Sequence, residues 1–537
     1  MKNNMDLFKN IIPFLNPFGV IAFLVSGIFI SLFFGLSKRN QIKIFIFVLV
    51  QILLAGAFFI NIYSYNIYGE FSSNLFTSGI FETAATGFIL LSAIISFAVI
   101  FICNRKNDNF IKTVMIFLFA VISSVIIIIS KNFTSFFIGT GCFLTAFFAL
   151  TTLLNEDLVT IYNENTVKGR DLIIQRNISA AIIRFFIVCL LFLILLFFGF
   201  SILYGATDVK NFLQLFENIQ SGGINIIFSL IIISISFYIY FGIFPFQAPY
   251  IGFVNKTEIS SLYVLWFLYF PAGILSILKF TPIILILNKN LKAGEYILYV
   301  LLVTIFISSV CSAIAGFKTK SLRKTLGYLF TLLLSGYFVN LLMLLNGFIK
   351  EDNLNWLNIF NLAYFAVCFL PVVFIFSFIE NAVKKDHVNN LKSLFYKNKI
   401  VGIFLIIIIF SLIGVPGFFS YPARKYYFDT IIDILNSKTG SLTVLNGWLV
   451  MTIIIIYMIS IAAVSIRLLI ILFLKEKKEN DIQDKLDFPK AFYVLLGVFA
   501  AFILFSGIIG LLETLNPAVS LFGSRITDSA IFIKNLK

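Results

Sequence analysis

From Ile11 to Leu515 the chain is a succession of apolar runs, most of them about 18 residues or longer, separated by short polar links. A run of that length crosses the hydrocarbon core of a bilayer as a helix, and in lipid every backbone hydrogen bond must be satisfied within the protein. The runs predict about fourteen spans. They lie near 11–35, 43–64, 78–103, 111–130, 133–154, 178–204, 224–250, 260–287, 296–317, 324–349, 355–383, 400–433, 446–474 and 491–515. The fold class that follows is an all-α polytopic membrane protein. With 60% of residues hydrophobic and 12% charged, no polar block is long enough to fold as a soluble domain. Residues 1–537 read as one membrane domain, divided into 1–110 (the first three helices), 111–287, 296–474 and 491–537 (the last helix and tail).

The net charge of +15 has a source other than nucleic acid. Cytoplasmic loops of membrane proteins collect Lys and Arg. Links after odd-numbered spans hold about two dozen basic residues, among them Lys38, Arg39, Arg105, Lys106, Lys168, Arg170, Arg176, Lys256, Lys318, Arg323, Lys384, Lys385, Lys475 and Lys485. Links after even spans hold roughly half a dozen. One missed span would scramble that alternation, so both termini are expected on the non-cytoplasmic side. The first run is long enough to remain as a signal anchor, and no cleavable leader is expected. Cys103, Cys142, Cys189, Cys311 and Cys368 are scattered without ligand spacing and read as small packing residues. His387, in a charged loop, makes no metal site on its own.

Two spans are broken. "FYIYFGIFPFQAPY" carries Pro245, Phe246 and Gln247 inside the seventh; "FSLIGVPGFFSYPARKYYFD" carries Pro416 and Gly417 inside the twelfth. Spans four to eight and nine to thirteen are both five-span units, broken in the fourth span of each. Interrupted helices at corresponding places point to inverted repeats with a polar pathway at the breaks. Five basic residues remain in or at the edge of spans: Arg184, Lys279, Arg424, Lys425 and Arg467. A charge at the bilayer centre costs about 2.5–3.5 kcal/mol, so each should face protein or water. Lys279 and Arg467 lie near span ends and are expected to snorkel. Arg184 lies a third of the way into its span and is expected to face a polar interior. Lys425, Asp429 and Asp433 are four apart on one helical face, either a self-neutralised surface ladder or a buried relay.

Four stretches carry a resemblance: "SILYGATD" (Ser201 to Asp208), "FGIFPFQ", "SLRKTLGYLFTLLLSGYF" (Ser321 to Phe338) and "FSLIGVPGFFSYPARKYY". In order and span number they resemble the antiporter-like membrane subunits of respiratory complex I, the subunit N type most of all. The resemblance implies a membrane-arm subunit without a redox centre. NADH, FMN, iron–sulfur clusters and quinone would sit on partner subunits, and the partners would be an antiporter-like neighbour and small membrane-arm subunits in a cell (inner) membrane. It implies no catalytic residue and no metal on this chain.

The family's relay residues do not carry over intact. Its span-five glutamate falls on Gly141, its span-six lysine on Arg184, its span-seven lysine on Tyr240, and its histidine after Pro-Phe on Gln247. The span-eight lysine falls near 270–272 and the span-ten histidine near Leu333, both uncharged here. The span-twelve lysine has a basic counterpart at Arg424 or Lys425. Arginine stays protonated and hardly passes a proton, whereas a buried lysine can. The candidate proton-path residues are therefore Arg184, Tyr240, Arg424, Lys425 and Asp429, on a scaffold expected to pump weakly or not at all. A subunit of a multisubunit cation/proton antiporter, or an independent secondary transporter, shares the fold. A lipid-linked polymer flippase would need more charged cavity residues than this chain has.

Overall fold

The structure is a computed structural model that describes residues 15–34, 40–68, 71–73, 75–104, 109–163, 168–212, 224–280, 293–345, 361–362, 368–369, 371–376, 379, 387–392, 394–436, 442–474 and 490–515. Its helices in chain order are α1 (Leu15–Phe34), α2 (Asn40–Tyr68), α3 (Ile80–Asn104), α4 (Phe110–Ile129), α5 (Phe133–Asn163), α6 (Lys168–Thr207), α7 (Ile224–Tyr240) and α8 (Gln247–Lys256). Next comes α9 (Ile259–Leu278), continuous through a π-helical turn at Leu265–Tyr269. Then follow α10 (Ala293–Lys318), α11 (Leu322–Leu345), α12 (Lys399–Ile413), α13 (Tyr421–Asn436), α14 (Leu442–Phe473) and α15 (Lys490–Leu515). Among the described residues, 9 helices are long and apolar enough to cross a membrane, with shorter apolar helices at Phe18–Phe34, Asn225–Tyr240, Lys399–Ile413 and Leu496–Ile508. Most of the predicted span 355–383 lies outside the described residues.

The chain forms two compact units, one of Met1–Gly242 with Ala248–Ala293, the other of Ile243–Gln247 with Gly294–Lys537. In the first, phenylalanines knit one end of the bundle together. The Phe133 and Phe200 rings stack at 4.8 Å, Phe200 and Phe280 at 5.8 Å, and Phe212 meets Phe280 edge-on at 5.2 Å. A two-strand hairpin, β1 (Phe71–Ser72) and β2 (Thr77–Ser78), joins α2 to α3. It is tied to the turn after α4, where the Lys131 N–H donates to the Leu75 carbonyl at 2.8 Å and Lys131 Nζ donates to Ser72 Oγ at 2.6 Å.

The two basic residues near span ends do more than snorkel. Lys279 Nζ donates to the Ser130 carbonyl just past α4 at 2.7 Å. Arg467 Nη1 and Nη2 donate to the Gly316 and Thr319 carbonyls at 2.5 and 2.6 Å, with the guanidinium over the Phe317 ring. A helix leaves its last four carbonyls without intrahelical partners, and at the edge of lipid a cation is the strongest donor available to them. In each unit a basic residue of a late helix thus caps the carbonyl end of an early one.

Candidate functional site

The break after α7 begins at Gly242, whose φ of +59° is left-handed. A Cβ there would lie 2.9 Å from that of Tyr250, so glycine is required on both counts. Tyr240 closes α7 immediately before it and is buried. Its hydroxyl donates to the Tyr269 carbonyl at 2.6 Å, and the Tyr269 hydroxyl donates to the Tyr240 carbonyl at 3.2 Å. The two rings stack 4.2 Å apart and only 3° from parallel. The Tyr240 carbonyl, freed by the break, therefore finds a donor within the protein, as backbone at membrane depth demands. Cys189 Sγ lies 3.2 Å from the Tyr269 hydroxyl. Phe192 and Phe147 pack against the pair at 4.9 and 4.8 Å. Gly273, one turn beyond Tyr269, leaves room for the Tyr240 ring, and a Cβ there would overlap it. Among the described residues, the side chains bonded to or stacked on Tyr240 are the aromatic Phe192, Phe241 and Tyr269.

Gln247 belongs to the other unit. Its Nε2 donates to Ser312 Oγ at 2.7 Å and to Ser308 Oγ at 3.2 Å, both on α10. Thr331 on α11 donates in turn to Ser312 at 3.0 Å. Pro245 is exposed and Phe246 half-buried.

In the second unit, α12 stops because Gly414 turns left-handed at φ +92°, with its N–H returned to Phe410 and Ser411. Gly417 is also left-handed, at +86°. Ser420 bonds back across the break to the Ser411 carbonyl, and α13 starts at Tyr421. Arg424, in its first turn, is 4% exposed. Its Nη1 donates to the Tyr457 hydroxyl at 3.0 Å. The guanidinium carbon stands 5.2 Å from the Tyr457 ring centroid and 5.6 Å from that of Tyr427. Tyr427 donates to Asn340 Oδ1 at 2.8 Å. Two glycines make the space, since a Cβ on Gly414 would strike the Arg424 stem and one on Gly336 the Tyr457 hydroxyl. The cation is thus held by ring faces and oriented hydroxyls, an arrangement that fits a permanent charge.

The remaining candidates lie elsewhere. Arg184 is exposed on α6, against the expectation that it faces a polar interior. Phe185, Cys189, Phe192 and Leu196 form the buried stripe of that helix, and Arg184 falls off it beside exposed Ile183 and Ile187. Among the described residues it has no hydrogen bond or ion pair. Asp429 and Asp433 sit on the outer face of α13 with Lys425 half-buried, so this row does not enter the Arg424 cage. Gly141 is half-exposed on α5, and a Cβ there would meet nothing within 4 Å. Cys189 and Cys368 are buried as expected, whereas Cys103 is exposed.

Sequence reasoning missed Tyr269, Gly273, Asn340, Tyr427 and Tyr457. The available signal was small. Asn340 is an amide inside the apolar run "YFVNLLMLL", and Tyr269 and Gly273 are spaced one turn apart in "LYFPAG".

Two broken helices in a polytopic bundle, each with a polar side chain at the break, define a membrane protein of the antiporter-like class. The sequence pattern of the family described as "NADH:quinone oxidoreductase/Mrp antiporter, TM" matches residues 172–449, more than half of the chain. The chain belongs to that family. NADH-quinone oxidoreductase subunit N of Pelobacter propionicus is 22% identical over 327 residues, 60% of this chain. The match spans 62% of that relative's length, less than two thirds. Respiratory complex I from Thermus thermophilus contains a chain of the same fold, with a TM-score of 0.67 and 13% identity, covering 94% of this chain and 98% of that one. The archaeal membrane-bound sulfane sulfur reductase contains another, with a TM-score of 0.70 and 15% identity, covering 96% and 99%. At these identities the solved structures establish the fold.

Proposed function

We propose that the chain is a membrane-arm subunit of an NADH:quinone oxidoreductase of the complex I type, in the place of subunit N, and that its own proton transfer is weak or absent. The redox cofactors and quinone then belong to partner subunits. The chain lies in a cell (inner) membrane with both termini on the non-cytoplasmic side. The observation that carries the weakened pumping is the Tyr240–Tyr269 pair. Where the family resemblance implies a lysine, two neutral side chains bond each other's carbonyls and pack out the space. The relay candidates add to this, because Arg424 keeps its proton and Arg184 faces outward.

Protons moved per NADH in vesicles reconstituted with the assembled complex test the reading. A stoichiometry short of the full antiporter-like share, and unchanged in Arg424→Gln, is expected. A full share that is lost in Arg424→Gln overturns the non-pumping part. The family description favours one other reading, a subunit of a multisubunit cation/proton antiporter. Cation-dependent proton flux in vesicles holding that assembly without any NADH-oxidising partner would establish it instead.

A further inference from the structure

Helix α15 lies outside both predicted five-helix repeats, yet it packs on both halves of the broken span, α12 and α13. Three contacts fix it along its length. Near its start, the side-chain amide of Asn398, which also caps α12, donates to the Tyr493 hydroxyl at 2.7 Å. Further along, the Phe502 ring meets Phe419 at 5.6 Å. At Gly507 the helix touches the break itself. A Cβ there would lie 2.5 Å from the carbonyl carbons of Gly417 and Phe418, and closer still to the Gly417 oxygen. One Hα of Gly507 therefore points at that carbonyl, the arrangement of a weak C–H···O bond.

The break has something to hide. Left-handed Gly417 turns its carbonyl out of any helical ladder, and such a group is costly in lipid unless protein or water covers it. Close to it in the chain lies a buried polar cluster. Ser420 bonds to the Ser411 carbonyl, Ser411 Oγ is 3.4 Å from Cys368 Sγ, and all three residues are at most 1% exposed. Arg424 follows four residues later.

We propose that α15 is a seal over the break in the twelfth span, with Gly507 the positioning residue that lets it close, so that water reaches the buried Ser411–Ser420–Cys368 cluster only when α15 lifts. A residue with a side chain at 507 must push the helix off the Gly417 and Phe418 backbone. The reading depends on the fold alone and holds whichever complex the chain joins.

Cys368 is a native reporter. In a full chain carrying it as the only cysteine, in its assembled complex in membrane vesicles, labelling by N-ethylmaleimide measures access from water to the cluster. Labelling is expected to be slow with Gly507. Gly507→Leu should speed it roughly tenfold or more, an opening equilibrium shifted by about 1.4 kcal/mol, with Gly507→Ala between the two. Val498→Leu, on an exposed face of α15, should leave the rate unchanged. Phe502→Ala, which loosens the seal without adding bulk, should also speed labelling, and it serves if Gly507→Leu fails to assemble. Equal rates for Gly507 and Phe502→Ala, or an equal gain from Val498→Leu, would overturn the proposal.

Discussion

The two breaks solve one problem in opposite ways. At Tyr240 the polar groups are neutral and close on each other, the hydroxyl of each tyrosine taking the other's carbonyl, with aromatic rings packed outside. At Arg424 a permanent charge is retained, and three further residues serve it: Tyr457 and Tyr427 with ring faces and hydroxyls, Asn340 by anchoring Tyr427. A break can be kept without a charge if its carbonyls find partners. A charge can be kept only if a shell is built around it. Among the described residues, the side chains bonded to Tyr240 and to Arg424 are neutral.

Stripping the shell from the charged site should have the largest effect. Tyr457→Leu removes one ring face and one acceptor from Arg424, and should cost about 2–4 kcal/mol, a hydrogen bond to a buried charge together with a cation–π contact. Thermal unfolding of the purified chain in detergent would register it. Adding Arg424→Met to that variant should return most of the loss, making the second break resemble the first; failure to recover would mean that the cation itself holds the break together. Gly273→Ala tests the neutral site by crowding the Tyr240 ring, with an expected loss of about 1–3 kcal/mol in the same assay. Tyr240→Phe should cost about 1 kcal/mol, one hydrogen bond with the stack kept. A larger loss would show that the hydroxyl, not the packing, dominates there. Arg184→Gln should change the stability of the isolated chain by less than about 0.5 kcal/mol, as for a surface position. If it instead matches Gly273→Ala, Arg184 has a partner in the folded chain and the outward orientation is wrong.

Legibility in the sequence followed the physics of each feature. The apolar runs and both breaks could be read because lipid imposes length on a span and because Pro and Gly act on their own backbone. The phase of α6 could not. In a soluble helix the polar face would show which side Arg184 takes, but here both faces are apolar and "AAIIRFFIVCLL" carries no such asymmetry. Lys279 and Arg467 show the same limit. Their place near span ends was evident, but the carbonyls they cap belong to helices 149 and about 150 residues away in sequence.

What the sequence alone determined is local: a membrane-spanning helical chain, interrupted at Pro245 and Pro416, with Tyr240 and Gln247 flanking the first break and Arg424 and Lys425 following the second. The sequence left Arg424 and Lys425 as alternatives for the basic residue of the second break. The tertiary structure decided every pairing. It set Tyr240 on Tyr269, closed Tyr427 and Tyr457 on Arg424, turned Arg184 outward and laid Gly507 on the broken backbone. Those outcomes depend on which helices touch and at what rotation, and helices that are apolar all round carry no mark of either until they pack.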